Sequence, residues 1–79
     1  MVNLNFIHLV FNKPDWVDDV TAVKISKRVT KKDMEIGDIL EQSDKHVIYK
    51  LLTKGSRGDY VLWIRKEGDA IWWNIGKRA

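Results

Sequence analysis

The sequence predicts a mainly β domain, and three observations carry that prediction. The last 34 residues break into the β-rich runs HVIYKLL, YVLWIRK and AIWWNIGKR, separated by the glycine-bearing segments TKGSRGD and EGD. Within these runs apolar and mixed positions alternate with the period of two that places successive side chains on opposite faces of a strand. Upstream, residues 3–11 and 21–30 also read as strands, which brings the count to five. Five short strands in 79 residues cannot stay flat without leaving edges and an uncovered face, and curling solves both problems. The expected architecture is a single domain over residues 1–79: a small, mainly antiparallel, partly open five-stranded barrel, SH3-like or OB-like, with at most one short helix. The alternative is an α+β sheet with a helix near residues 31–43.

Residues 3–11 place Leu4, Phe6, His8 and Val10 on one side and Ile7, Leu9 and Phe11 on the other. Because both sides are largely apolar, the segment is expected in a central, well-covered position. Pro14 and the Asp15, Asp18 and Asp19 cluster end it, and Asp15 is expected to cap a single turn with Trp16 and Val17 facing inward. In residues 21–30, Val23, Ile25 and Val29 alternate with Lys24, Ser26 and Arg28, as one buried and one wet strand face would require. Residues 31–44 are ambiguous. Met34, Ile36, Ile39 and Leu40 fit a short helix, but Gly37 disfavours it by about 1 kcal/mol relative to Ala, and an extended segment fits equally.

The register of the last three strands follows from their turns. A loop at Glu67-Gly68, with glycine supplying positive φ, sets Trp63 opposite Trp72 and Ile64 opposite Ile71. A loop over residues 52–59 sets Leu51 opposite Tyr60. One face then carries Val47, Tyr49, Leu51, Tyr60, Leu62, Ile64, Ile71, Trp73 and Ile75. The other carries Ile48, Lys50, Leu52, Val61, Trp63, Arg65, Ala70, Trp72 and Asn74. A slip of one residue would exchange the two sets.

Composition narrows the function classes. The chain has 44% hydrophobic and 32% charged residues, an ordinary globular balance. It contains no cysteine, which removes thiolate chemistry, disulfides and Cys-based zinc sites and fits a cytoplasmic setting. No run approaches the roughly 20 apolar residues of a membrane helix. The N-terminal VNLNFIHLVF has no basic start or small-residue cleavage site and reads as a strand, not a signal peptide. The formal charge of +3 is unevenly spread, with the excess in residues 45–79, which hold three of the four tryptophans.

Two tryptophans and a set of cations form the candidate site. Trp63 and Trp72 share the mixed face with Lys50 and Arg65. Lys54 and Arg57 lie in the glycine loop, and Lys77 and Arg78 in the tail. Arginine beside tryptophan on a curled sheet suits single-stranded or structured nucleic acid, whose bases stack on aromatic rings while cations meet phosphates. The same residue types make protein-interface hot spots. The alternative is therefore a protein-binding inhibitor or regulator, such as a phage or other mobile element encodes against a host protein, and a homodimer would also cover the patch. A second cationic group comprises Lys24, Lys27, Arg28, Lys31 and Lys32.

Other motifs carry less. Arg57-Gly58-Asp59 matches an adhesion tripeptide, but its glycine serves turn geometry. Neither the Asp15/Asp18/Asp19 nor the Asp33/Glu35/Asp38 group follows a calcium-loop spacing. His8 and His46 lack metal-ligand partners at a diagnostic spacing. No nucleophile elbow, phosphate loop or HExxH stands in the chain. The expectation is a non-enzymatic binding module without metal or cofactor.

Overall fold

A computed structural model describes residues 4–53 and 59–77. Two helices, α1 (Leu4–Asn12) and α2 (Asp19–Lys31), precede four strands: β1 (Met34–Gln42), β2 (His46–Thr53), β3 (Tyr60–Glu67) and β4 (Ala70–Lys77). The strands form an antiparallel meander in the order β1-β2-β3-β4, and both helices pack on one face of it. β1 and β4 are separate edges, so the sheet does not close. The fold is α+β, and the five-stranded barrel is overturned on both counts. Residues 4–12 and 19–31, where two strands are expected, are helical, and residues 31–43, the helix of the alternative, contain strand β1.

α2 shows why the strand reading failed. Its buried residues are Ala22, Ile25, Ser26 and Val29, spaced i, i+3, i+4, i+7 as one helical face requires. Asp18 caps the helix, accepting from the Thr21 amide at 3.3 Å, and hydrogen bonding from Thr21 holds its carboxyl below the usual carboxylate range. The cap is thus Asp18 and not Asp15. Asp19 in the first turn and Arg28 and Lys31 in the last complement the helix dipole. At the far end the Lys32 amide donates back to Arg28 O at 3.1 Å and Val29 O at 3.2 Å. Asp33, at φ 61°, then redirects the chain into β1 through the left-handed region that Asp tolerates better than most residues. Between the helices, Val17 N donates to Pro14 O at 3.0 Å. Val17 is buried there and Trp16 packs against the core.

The core lies between the helices and the sheet. Leu9, Val17, Ala22, Ile25 and Val29 meet Met34, Ile36, Val47, Tyr49, Leu51, Leu62 and Ile64. Leu51 faces Tyr60 as the turn predicts. The β3–β4 loop is Gly68-Asp69, with Glu67 opposite Ala70 and Gly68 at φ 61°, the first position of a type II′ turn. Trp63 therefore faces Asn74, and Trp72 faces Arg65, not each other. The displacement from the expected register is two residues. A shift of two preserves side-chain parity, so both predicted faces survive.

The two edges of the sheet are finished differently. α1 lies along β1, and the carboxamide of Asn5 reaches its backbone. Nδ2 donates to Met34 O at 3.0 Å and to Thr30 Oγ1 at 2.9 Å, while Oδ1 accepts from Ile36 N at 3.0 Å. One side-chain amide thus stands in for the peptide group of a fifth strand. Three residues on, His8 Nε2 donates to Gly37 O at 3.1 Å; the carbonyl can only accept, so Nε2 carries the proton. Register shifts interrupt β1 between Ile36 and Ile39 and between Ile39 and Glu41, which twist a strand away from regular pairing. From β2, the Tyr49 hydroxyl donates to Asn12 O at 3.0 Å, satisfying a carbonyl at the open end of α1.

Two outcomes are expected. Asn5→Asp at neutral pH removes the donor to Met34 O from a site that is 7% exposed and should cost roughly 2–4 kcal/mol. Urea denaturation should show part of that loss recovered near pH 4, where a protonated carboxyl donates again. Burial pushes the Tyr49 phenol up from 10.0 to about 12. The folded protein therefore binds that proton more tightly than the unfolded chain. This contribution is complete below pH 10 and lost as pH rises from 10 towards 12, by roughly 2–3 kcal/mol. In Tyr49→Phe the alkaline fall should be smaller by that amount, as followed by denaturation at pH 9 and pH 11.5.

Candidate functional site

The face of the sheet opposite the helices is open, and it carries part of the predicted site. Cross-strand pairing puts Ile48 beside Trp63 and Lys50 beside Val61, and Arg65 beside Trp72. Trp72 is 60% exposed and Leu52 46%. Trp63 is half-buried because its ring lies over Gly76; a Cβ built at Gly76 would sit 3.1 Å from Trp63 Cζ3. The glycine thus provides the floor on which the indole rests. Trp63 and Trp72 are diagonal neighbours on one face, close enough for large rings to share a surface. A shallow depression of about 730 Å³ lies at the end of β2, β3 and β4, with Trp63, Arg65, Trp72 and Asn74 among its lining.

Not every predicted cation joins this surface. Lys50 and Arg65 do, both exposed. Lys77 faces Tyr60 on the helix-bearing side, with Nζ 5.9 Å from the Tyr60 ring centroid, so it is separated from Trp63 and Trp72 by the sheet. Lys54, Arg57 and Arg78 lie outside the described residues, as does the Arg57-Gly58 part of the tripeptide. Acidic residues offset the two cations that remain. Arg65 is paired with Glu67 at 3.0 Å, and strand register brings Glu35 and Glu41 to the same face, opposite Leu52 and Ile48. Among the described residues the open face is therefore aromatic and close to neutral.

The concentrated positive charge sits elsewhere. Read as a strand, residues 21–30 scatter their basic residues; wound as α2, they gather them. Lys24, Lys27, Arg28 and Lys31 are all exposed and recur at i, i+3, i+4, i+7, on the side of the helix opposite Ala22, Ile25, Ser26 and Val29. Among the described residues none of the four has an ion-pair partner. Like charges at this spacing repel by about 0.2–0.5 kcal/mol per pair. A second surface that the sequence reading missed is the apolar strip on α1 formed by Leu4, Ile7 and Phe11, which are 77%, 36% and 82% exposed.

One hydrogen-bonded chain has the residue types of a hydrolase. Ser43 Oγ lies 2.6 Å from His46 Nδ1, and His46 Nε2 lies 3.0 Å from Glu41 Oε1. Its surroundings mark it as a turn closure. Ser43 Oγ already accepts from the amides of Lys45 at 3.3 Å and His46 at 3.2 Å, and all three side chains face water. Donation into Oγ weakens it as a nucleophile, and water-exposed partners give little electrostatic stabilisation. Among the described residues, no group of three or more His, Cys, Asp or Glu is placed to hold a metal ion, and no helix is long and apolar enough to cross a membrane.

No family model matches this chain, and neither a curated protein nor a solved structure shows significant similarity to it.

The seating of Trp63 on Gly76 has a direct readout. Gly76→Ala should lift the indole by a few tenths of an ångström towards solvent. Its emission should shift to the red against Trp63→Phe and Trp63→Phe/Gly76→Ala controls, with stability changed by less than about 1 kcal/mol.

Proposed function

We propose that this protein is a non-enzymatic nucleic-acid-binding module of the cytoplasm, and that α2 supplies its principal contact. The observation that carries this reading is the stripe of Lys24, Lys27, Arg28 and Lys31, four exposed cations on one helical face with no ion-pair partner among the described residues. Retained like-charge repulsion on a folded surface is relieved by a polyanion. A convex helix fits the major groove or spans the phosphates beside it. The stripe is mostly lysine, which meets phosphate as a point charge, while carboxamides that read base edges are absent from it. Recognition by shape and charge, with little sequence preference, is what such a surface supports.

The test is fluorescence anisotropy with a labelled mixed-sequence duplex over a salt series. Four phosphate contacts give a slope of log K against log salt of about −3 to −4. Lys24→Glu/Lys31→Glu should weaken binding and reduce the magnitude of the slope by about two, with the fold unchanged because both positions are exposed. Absence of binding at low salt by the folded protein would refute the reading.

The open sheet face supports a second reading, a protein-binding inhibitor or regulator. Trp72, 60% exposed, beside Arg65 on a nearly neutral surface has the character of an interface hot spot. A complex made there would tolerate salt and lose affinity on Trp72→Ala, while α2 variants would leave it unchanged.

A further inference from the structure

The sheet has one finished edge and one that is bare. β1 is bulged twice and covered by Asn5 and His8. β4 is the opposite case: it pairs with β3 over eight consecutive positions with no register shift, and among the described residues no strand lies beyond it. Its sequence AIWWNIGK carries a single charge and no proline. A long, regular, charge-poor edge is a template for another strand.

The hairpin decides which backbone groups are free. The Gly68-Asp69 turn closes with a hydrogen bond between Glu67 and Ala70, the first and fourth residues of the turn. Hydrogen-bonded and non-hydrogen-bonded pairs then alternate along the ladder. Ala70, Trp72, Asn74 and Gly76 direct their N–H and C=O towards β3. Ile71, Trp73, Ile75 and Lys77 direct theirs outward. The side chains of Ile71, Trp73 and Ile75 are only partly buried against the core.

We propose that this edge pairs with β4 of a second copy, antiparallel about a two-fold axis normal to the sheet, to form a dimer with one continuous eight-stranded sheet. Symmetry restricts the register, because paired residues must lie on the same face, so a residue pairs only with one of its own parity. The register centred on Trp73 satisfies the side chains throughout. Ile71 meets the partner's Ile75, Trp73 meets its own symmetry mate, and Trp72 meets the partner's Asn74. Asp69 falls opposite the partner's Lys77, twice by symmetry. All three outward-facing isoleucine and tryptophan positions then sit in hydrogen-bonded pairs. Because Asn5 and His8 cover β1, a β4 edge has no β1 edge to join, and pairing closes at two copies instead of running on as a fibre. The inference goes beyond nucleic-acid binding and does not rest on it. It also places both α2 stripes on the same side of the assembly.

The test uses the full chain without nucleic acid. Sedimentation equilibrium should give twice 9.3 kDa at high protein concentration. Amide exchange at Ile71, Trp73 and Ile75 should slow as concentration rises, while the exposed amides of α2's first turn are unaffected. Asp69→Lys and Lys77→Asp should each loosen the dimer, by roughly tenfold, and the double exchange Asp69→Lys/Lys77→Asp should restore it. Both side chains are exposed, so the fold tolerates these changes, and circular dichroism checks that it does. A monomer at all concentrations overturns the proposal. So does a dimer whose β4 amides stay unprotected, or one in which the double exchange fails to restore what the single changes loosen.

Discussion

The arrangement of the molecule depends on a single carboxamide. Asn5 bonds both to a carbonyl and to an amide of β1, which no charged side chain could do, since an ionised carboxylate only accepts and an ammonium or guanidinium only donates. Without it, an edge strand under α1 would have its outward peptide groups buried and unpaired, at a cost larger than the net gain of any one hydrogen bond. With it, the helix can lie close against the strand. Leu9, one turn along, reaches the core as a result, and α2, held to the same residue through Thr30, covers the rest of the sheet. The absence of buried side-chain nitrogen or oxygen atoms lacking a partner among the described residues follows from the same fit.

Packing both helices on one face leaves the protein with two unlike surfaces back to back, across a shortest dimension of 17 Å. Cations collect on the outer side of α2, while exposed aromatic area collects on the bare side of the sheet. Neither surface borrows residues from the other, since Lys77, the one described cation expected with the tryptophans that is absent from them, is held on the helix side. A ligand of one surface cannot readily reach the other, so they separate under mutation.

Legibility differed sharply between the two halves of the chain. In the C-terminal half, alternation alone assigns both faces of β2, β3 and β4, because three adjacent strands must agree in parity. Even the two-residue error at Gly68 left the faces intact, although it paired the tryptophans wrongly. In the N-terminal half the pattern was degenerate. Residues 4–12 are mostly apolar, which fits a buried strand as well as a helix, and only Asn5, His8 and Asn12 at i, i+3 and i+7 mark a polar helical side. Residues 21–30 place Val23, Ile25 and Val29 at odd positions, and the eye takes the period of two. The better signal was Ala22, Ile25, Ser26 and Val29 together with the Asp18 cap. It was obscured because the buried set includes a small residue and a polar one: Ser26 satisfies itself locally, donating to Val23 O at 2.9 Å. The basic stripe was invisible for the same reason, since the period chosen determines which charges are neighbours. No sequence pattern announces the role of Asn5, because its partners lie 29 and 31 residues away.

The meander also shapes how the chain finds this structure. Every strand pairs with the next in sequence, so each hairpin closes a short loop at small entropic cost. The helices precede all of this in sequence; they pack on each other, but more of the shared core comes from the strands. Leu9, Ile25 and Val29 find their full cover only when Met34 and Ile36 have paired with Thr53 and Leu51. Ala70–Lys77 adds an outer strand to a sheet whose opposite edge is clamped by Asn5 and His8. The contacts closest in sequence are thus the hairpins, and the helices take much of their cover from residues well beyond them.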